Sequence, residues 1–467
     1  MASVSSAQPF KNFGSHVGES KQQSMVTAMT HFNAFLKKLN AADPDAYPHT
    51  DFADIPKEDF KEFRNVFGQF PMYILSDTNV KKGGTNLNYV TQIKDAIVKK
   101  NRESDINLDD WYKTLRANVQ GEYKVQCALS GEKYSESAPP MTRADNLYLA
   151  RLLFKQNTNE SLLDRDLINK LRHSLGRVTE ISGIKCSDYS LYKGGNCHTL
   201  SVHITRLKTG VEQDITLFMD KDSYLICPVH SLATVCVLSS CSAEVFPHIV
   251  AKCEAQHVNR LLTRLSAIAK LDTSQDASEL TQGLVSHSPR HGGATEANES
   301  IFIQPSWMVA RGGWTLGRIE QLFAYIAGTR KTDARVARIL AGWEDPDYGG
   351  YGLTIDCIPS DDRELFEWYA TELLGVAQFA ATSRVAVRTL LCCTLILHYK
   401  QVKHEFPDSK LIERMHSTSR VNETTLCKWA VSVSEYWHRQ NARFLPLASY
   451  QAGDVSVTLY LGYTINH

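Results

Sequence analysis

Residues 199–217 read TLSVHITRLKTGVEQDITL, and the period of this stretch decides the fold. Leu200, Val202 and Ile204 alternate with polar residues, Ile215 and Leu217 repeat the alternation, and Gly210 lies in the polar turn between them. A period of two on both sides of such a turn predicts a β-hairpin. Around it the apolar period is three to four. Leu149, Leu152, Leu153, Leu167, Leu171 and Leu175 keep helical spacing from Thr142 onward. The same spacing resumes after about Pro228 and, apart from a polar loop near Asp272 to Gly283, continues beyond Tyr399. The expected fold class is mainly α with a small antiparallel β-sheet.

Before the hairpin region, Met25, Met29, Phe32, Phe35 and Leu39 recur at helical spacing. So do Leu87, Val90, Ile93 and Ile97 behind a Thr85 cap, and Trp111, Leu115 and Val119. Composition and period divide the chain into a Ser/Gln/Gly-rich tail (1–22), a helical domain (23–130) and a polar linker with Pro139-Pro140 (131–145). A second domain (146–375) and a C-terminal extension (376–467) follow; the extension turns partly strand-like at Val455, Thr458 and Tyr460. No internal repeat is visible.

At 467 residues and 43% apolar content the chain can bury the cores of two or three domains. Lys plus Arg equals Asp plus Glu at 51 each, so any basic surface must be local rather than global. No apolar run reaches the roughly 18 residues of a membrane span, Thr389 to Tyr399 coming nearest, and Met1 to Gly18 lacks a secretory pattern. An intracellular protein with no membrane partner is expected. Its eleven cysteines, scattered singly or as Cys392-Cys393, read as reduced core thiols. Cys227-Pro-Val-His230 has a metal-like spacing but no matching second pair. No phosphate-binding Gly-x-x-x-x-Gly-Lys-Ser/Thr occurs, and the Gly-Gly pairs lack the setting of a dinucleotide fingerprint. No metal, ATP, NAD or other cofactor is implied.

Breaking a phosphodiester without metal needs a nucleophile, cations over the non-bridging oxygens and a proton donor for the leaving oxygen. Separated segments supply that set. In Leu175-Gly-Arg177-Val-Thr-Glu180, helical geometry would put the carboxylate beside the guanidinium, whose planar fork clamps two oxygens at once. Arg206-Leu-Lys208-Thr-Gly210 places a lysine on the hairpin turn. In His287-Ser-Pro-Arg290-His-Gly-Gly-Ala294, Ser288 would cap a helix beginning at Pro289, with Arg290 in its first turn. Arg311-Gly-Gly-Trp314 leads into a helical run, 315–326, containing Tyr325; at about 100° per residue Trp314 and Tyr325 would share a face.

In this order the segments resemble the tyrosine recombinases, or phage integrases. Their catalytic domain carries an Arg with a nearby acid, a hairpin Lys, His-x-x-Arg, a His or Trp, and a Tyr. The match covers residues 140 to 345. Cys227-Pro-Val-His-Ser-Leu232 is similar to an element after the hairpin in that family. His287-Ser-x-Arg290-x-Gly-Gly-Ala294, Arg311-Gly-x-Trp314, Phe323-x-Tyr325 and Leu340-Ala-Gly-Trp343 look like the Crypton group of eukaryotic DNA transposons. Phage members usually place the tyrosine nine residues after the His or Trp, which here is Phe323; Tyr325 comes two later, with Tyr348 and Tyr351 as alternatives.

The resemblance implies that Tyr325 attacks the scissile phosphate while Arg177 and Arg290 hold its oxygens. It implies that His287 and Trp314 position them, Glu180 steadies Arg177 and Lys208 protonates the leaving 5′ oxygen. It further implies a helical core-binding domain and a catalytic domain closing on double-stranded DNA as a C-shaped clamp, and a homo-tetramer on DNA. The expected docking face is Thr332 to Leu340, with Val336, Ile339 and Leu340 on one side. Transposon integration or excision in the nucleus is the implied setting. The alternative is a catalytically inactive, domesticated DNA-binding protein of the same fold.

Overall fold

The computed structural model describes residues 19–55, 60–80, 83–100, 109–131, 137–194, 197–207, 210–238, 243–314, 329–375 and 382–441. The chain falls into two compact units, Met1–Ser137 and Ala138–His467.

The first unit is helical: Glu19–Ala42, Phe60–Asp77, Gly83–Lys100 and Asp109–Ser130. Its core is largely aromatic, with Phe32, Phe67 and Phe70 almost fully buried and the rings of Phe32 and Phe70 meeting edge to face at 5.0 Å. Val90, Ile93 and Ile97 join them, as their spacing predicts. Two boundaries differ from the sequence reading. The first helix begins at Glu19, inside the segment read as a tail, and residues 1–18 lie outside the described residues. The third is described from Gly83, ahead of the expected Thr85 cap, and Gly83 lies against the ring of Tyr123, where a side chain would collide.

The second unit is built around the Asn159–His173 helix, buried at every position from Ser161 to His173. Beside it lies a three-stranded antiparallel sheet in the order β1 (Tyr189–Gly194), β2 (Cys197–Arg206), β3 (Val211–Leu217). The hairpin is the expected one, with Leu200 opposite Leu217, Val202 opposite Ile215 and Arg206 opposite Val211. Gly210 takes a positive φ of 66°, which only glycine adopts at no cost. β1 is an addition, since Tyr189 is buried but its neighbours do not alternate cleanly enough to announce a strand.

Helices Thr382–Leu397 and Glu423–Asn441, from the segment set apart as an extension, bury Leu390, Leu391, Ile396 and Trp429 in the same core as the sheet. The apolar run near Thr389 is thus a core helix, and no helix among the described residues is long and apolar enough to cross a membrane. Residues 442–467, which include the strand-like Val455 to Tyr460, lie outside the described residues.

Candidate active site

The buried Asn159–His173 helix stops one turn short of Arg177. Leu175 takes a left-handed φ of 49°, which costs a β-carbon-bearing residue about 1–2 kcal/mol. Its side chain offsets this by full burial beside Ala297, Met308, Val336 and Leu340. Arg177 then opens a one-turn helix, Val178–Ile181, rather than closing the long one. The Glu180 carboxylate accepts the Arg177 backbone N–H at 2.9 Å and its Nη1 at 2.6 Å, so the pair expected from spacing is made. Burial pushes the Glu180 carboxyl up. The Arg177 N–H and the Arg206 and Arg177 guanidinium groups outweigh that and hold it below its usual range.

The other oxygen of Glu180 is held by Arg206 Nη1 at 2.8 Å. Sequence reasoning did not single out Arg206, yet its signal was present: it shares parity with Leu200, Val202 and Ile204 and so faces inward with them. Its side chain is fully buried. Nε donates to Gln213 at 2.8 Å, and Nη2 donates to the carbonyls of Ser174 at 3.1 Å and of Arg311. Lys208, two residues further on, lies outside the described residues; Leu207 beside it is exposed.

The third segment forms the Ser288–Glu299 helix. His287 is its N-cap residue, one position earlier than expected, because the Ser288 hydroxyl turns back to accept the Val285 N–H at 3.0 Å. Gly292 and Gly293 let the helix lie directly on neighbouring backbone. A β-carbon at Gly292 would strike the Met141 carbonyl, and one at Gly293 the Arg172 carbonyl at the end of the Asn159–His173 helix. The Gly-Gly pair thus seats the helix that carries Arg290 against the end of the Asn159–His173 helix.

Arg290 is 7% exposed. Its Nη2 donates to the Gly312 carbonyl at 2.9 Å, and its guanidinium lies 4.7 Å from the centre of a Trp314 ring, a cation–π contact. Nη1 is buried with no hydrogen-bond partner among the described residues. Burial first, then the charges of Arg177 and Arg206, push the Arg290 pKa down to about 10, with Glu180 opposing. It stays charged at neutral pH, in a setting that disfavours the cation and would be relieved by an anion. The charges of Arg177, Arg206 and Arg290 less that of Glu180 leave a local net of +2.

Arg177, Glu180, Arg290 and Trp314 are therefore brought together, and His287 sits exposed at the start of the Arg290 helix. Tyr325 and its helical run lie outside the described residues. Tyr351 is half-buried against the main core, and Tyr348 is exposed. Arg311, next to the glycines, is a structural arginine: it is fully buried, paired with Asp333 and bonded to the carbonyls of His173 and Thr216.

Other sequence features resolve into the core. Val336 and Leu340 are fully buried against Leu175, Ala297 and Met308, with Ile339 packed on the same cluster. The face expected to dock on a neighbouring protomer is thus already covered by the chain itself. Trp343 donates from its indole to the Met219 carbonyl at 3.0 Å and packs on Trp437. Cys227 Sγ accepts the N–H of His230, whose ring faces Arg165.

Asp164, His248 and His257 present possible metal-ligand atoms within 4.8 Å of one another. Both imidazole Nε2 atoms, however, are engaged with the same Asp164 oxygen, at 3.0 and 2.7 Å. Burial raises the Asp164 carboxyl, but the His248 and His257 hydrogen bonds hold it below its usual range. The bond to Asp164 raises His257 against burial and the nearby Arg264. A raised histidine contributes stability below its unfolded pKa of about 6.5 and loses it as pH climbs through the folded value. A lowered aspartate contributes above about 3.9 and loses it as pH falls. Asp164→Asn is therefore expected to lower the melting temperature most between about pH 4 and 6.5, with the difference shrinking toward pH 8. Melting curves across that range check it, and a difference independent of pH would contradict it.

No family model and no curated protein matches the chain. Among solved structures it is similar to a mutant Flpe–DNA Holliday junction complex, at TM-score 0.36 and 11% identity over 82% of this chain and 100% of that one. An FLP recombinase–Holliday junction complex gives TM-score 0.35 and 13% identity over 72% and 94%. A Flpe–Holliday junction complex gives 0.31 and 13% over 82% and 100%.

Proposed function

We propose that this chain is a DNA strand transferase of the tyrosine recombinase class, and within that class a recombinase of Crypton type serving integration or excision of a transposable element. The observation that carries the reading is the unpartnered, buried Nη1 of Arg290 beside Arg177. Such a group needs an acceptor that the described residues do not provide, and its surroundings favour an anion. A phosphodiester supplies one negative charge, and two in the five-coordinate state through which attack passes. A local excess of +2 suits the second more than the first, which is what accelerates a reaction.

In this reading Arg177 and Arg290 hold the non-bridging oxygens, and Trp314 and His287 fix the phosphate between them. The Tyr325 hydroxyl loses its proton to solvent and its oxygen bonds to phosphorus as the bond to the 5′ oxygen breaks, and Lys208 gives that leaving oxygen its proton. The product is a 3′-phosphotyrosine and a free 5′ hydroxyl. Attack by a 5′ hydroxyl from a partner strand reverses the step, so no ATP is needed. Four protomers on two duplexes would complete an exchange, and nuclear residence would follow from the substrate.

The test uses a pool of random-sequence duplexes of about 40 base pairs, enriched by rounds of binding. Affinity for the enriched pool is expected to fall by about 10³-fold or more between 50 and 200 mM salt, as counterions released from several phosphates require. Affinity unchanged over that range would contradict DNA binding. The enriched duplexes are then the substrate for cleavage.

A further inference from the structure

Resting on the strand-cleavage reading, we infer that Arg206 is the positioning residue of the phosphate site, aiming Arg177 through Glu180. A guanidinium offers five N–H donors in one plane, and four hydrogen bonds from Arg206 go to fixed acceptors inside the protein. Nε goes to Gln213, Nη2 to the carbonyls of Ser174 and Arg311, and Nη1 to Glu180. With its side chain fully buried, Arg206 has little left to offer a phosphate. Three of those bonds anchor it, and the fourth holds the carboxylate.

Glu180 stands in turn on one carboxylate oxygen toward Arg206 and the other toward Arg177 Nη1. Arg177 keeps 23% of its side chain exposed, so it is the member of the relay that can reach a ligand. The relay crosses three separate pieces of chain: the end of β2, the one-turn Val178–Ile181 helix and the Arg311 backbone. A β-carbon at Gly313 would lie 2.9 Å from Arg206 Cγ, so a glycine is also needed there to leave the guanidinium its place. Lysine cannot replace the fork, because one ammonium cannot span acceptors spread around a plane.

The experiment is a double-mutant cycle in the full chain. Arg206→Lys and Gln213→Met are each made alone and together with Arg177→Ala, and single-turnover cleavage of the enriched duplexes, affinity for them and thermal unfolding are measured. Arg206→Lys alone is expected to slow cleavage by about 10²-fold, the effect of misplacing a positioned group by about 1 Å. In the Arg177→Ala background the same change should slow it by less than about threefold, because the group it aims is gone. A merely structural arginine would impose the same factor in both backgrounds, and that result overturns the inference. If Arg206→Lys shows no cooperative unfolding, Gln213→Met, which frees Arg206 Nε and the Ala310 carbonyl and leaves the bond to Glu180 in place, gives the same comparison with a smaller factor. If the wild type binds the duplexes without cutting them, the strand-cleavage reading fails, and the cycle in affinity decides the role of Arg206 by the same criterion. If the wild type neither binds nor cuts, both are overturned.

Discussion

Lys208→Ala is expected to slow cleavage of an ordinary phosphodiester by about 10² to 10⁴, while a substrate whose leaving 5′ oxygen is replaced by sulfur is cut at close to the wild-type rate. An alkoxide is a poor leaving group and needs its proton during bond breaking; a thiolate departs without one. The two substrates therefore separate proton donation from every other role a lysine could have, because holding a phosphate oxygen matters equally to both. In the sequence Lys208 follows the inward-facing Arg206, between the end of β2 and the start of β3. Loss of rate on both substrates alike would make the lysine a phosphate contact and pass the proton to another group, of which His287 is the exposed candidate at the start of its helix.

Arg290→Ala is expected to lower single-turnover cleavage by about 10²- to 10³-fold, the usual effect of removing a donor aimed at charge that develops in the transition state. Duplex affinity should drop far less, with the slope against salt reduced by about one, since one phosphate contact among several is lost. The alanine variant also loses the bond to the Gly312 carbonyl and the contact with Trp314. Arg290→Lys is therefore the necessary companion. It keeps a charge near the ring, but its single nitrogen cannot stand both against the Gly312 carbonyl and at the separate position of Nη1, so it too should cleave slowly while melting close to the wild type. A lysine variant with wild-type cleavage would show that charge alone is required and that the free Nη1 has no special part.

The hairpin and the Arg177–Glu180 pair were legible in the sequence because each depends on local geometry. Strand parity fixes which side chains face inward, and a separation of three in a helical turn brings a carboxylate to its guanidinium. Arg206 obeyed the same parity, but an arginine in an inward position reads as a strand end in solvent until Glu180, Gln213 and two carbonyls are seen waiting for it. The function of Gly292 and Gly293 was hidden for a similar reason. They exist for backbone that passes from other parts of the chain, at Met141 and Arg172. Val336 and Leu340 show the opposite error. Their amphipathic spacing was correctly apolar on one face, but spacing does not say what covers that face, and the cover proved to be Leu175, Ala297 and Met308 of the same chain. The helices 382–397 and 423–441 likewise gave their period in the sequence while their membership of the sheet's core depended on contacts across more than a hundred residues.

A covalent link between Tyr325 and DNA is the most direct mark of strand cleavage. An enriched duplex carrying a nick close to the cleavage point loses the short fragment on cutting, so rejoining fails and the protein remains attached. Wild-type protein is expected to form an adduct that survives boiling in detergent, and digestion followed by mass spectrometry should place the nucleotide on the peptide containing Tyr325. Tyr325→Phe, which removes only a hydroxyl, should bind the same duplex and form none. An adduct on Tyr348 or Tyr351 would move the nucleophile, and duplex binding at full affinity with no adduct from the wild type would contradict the central claim that this protein cuts DNA through a phosphotyrosine.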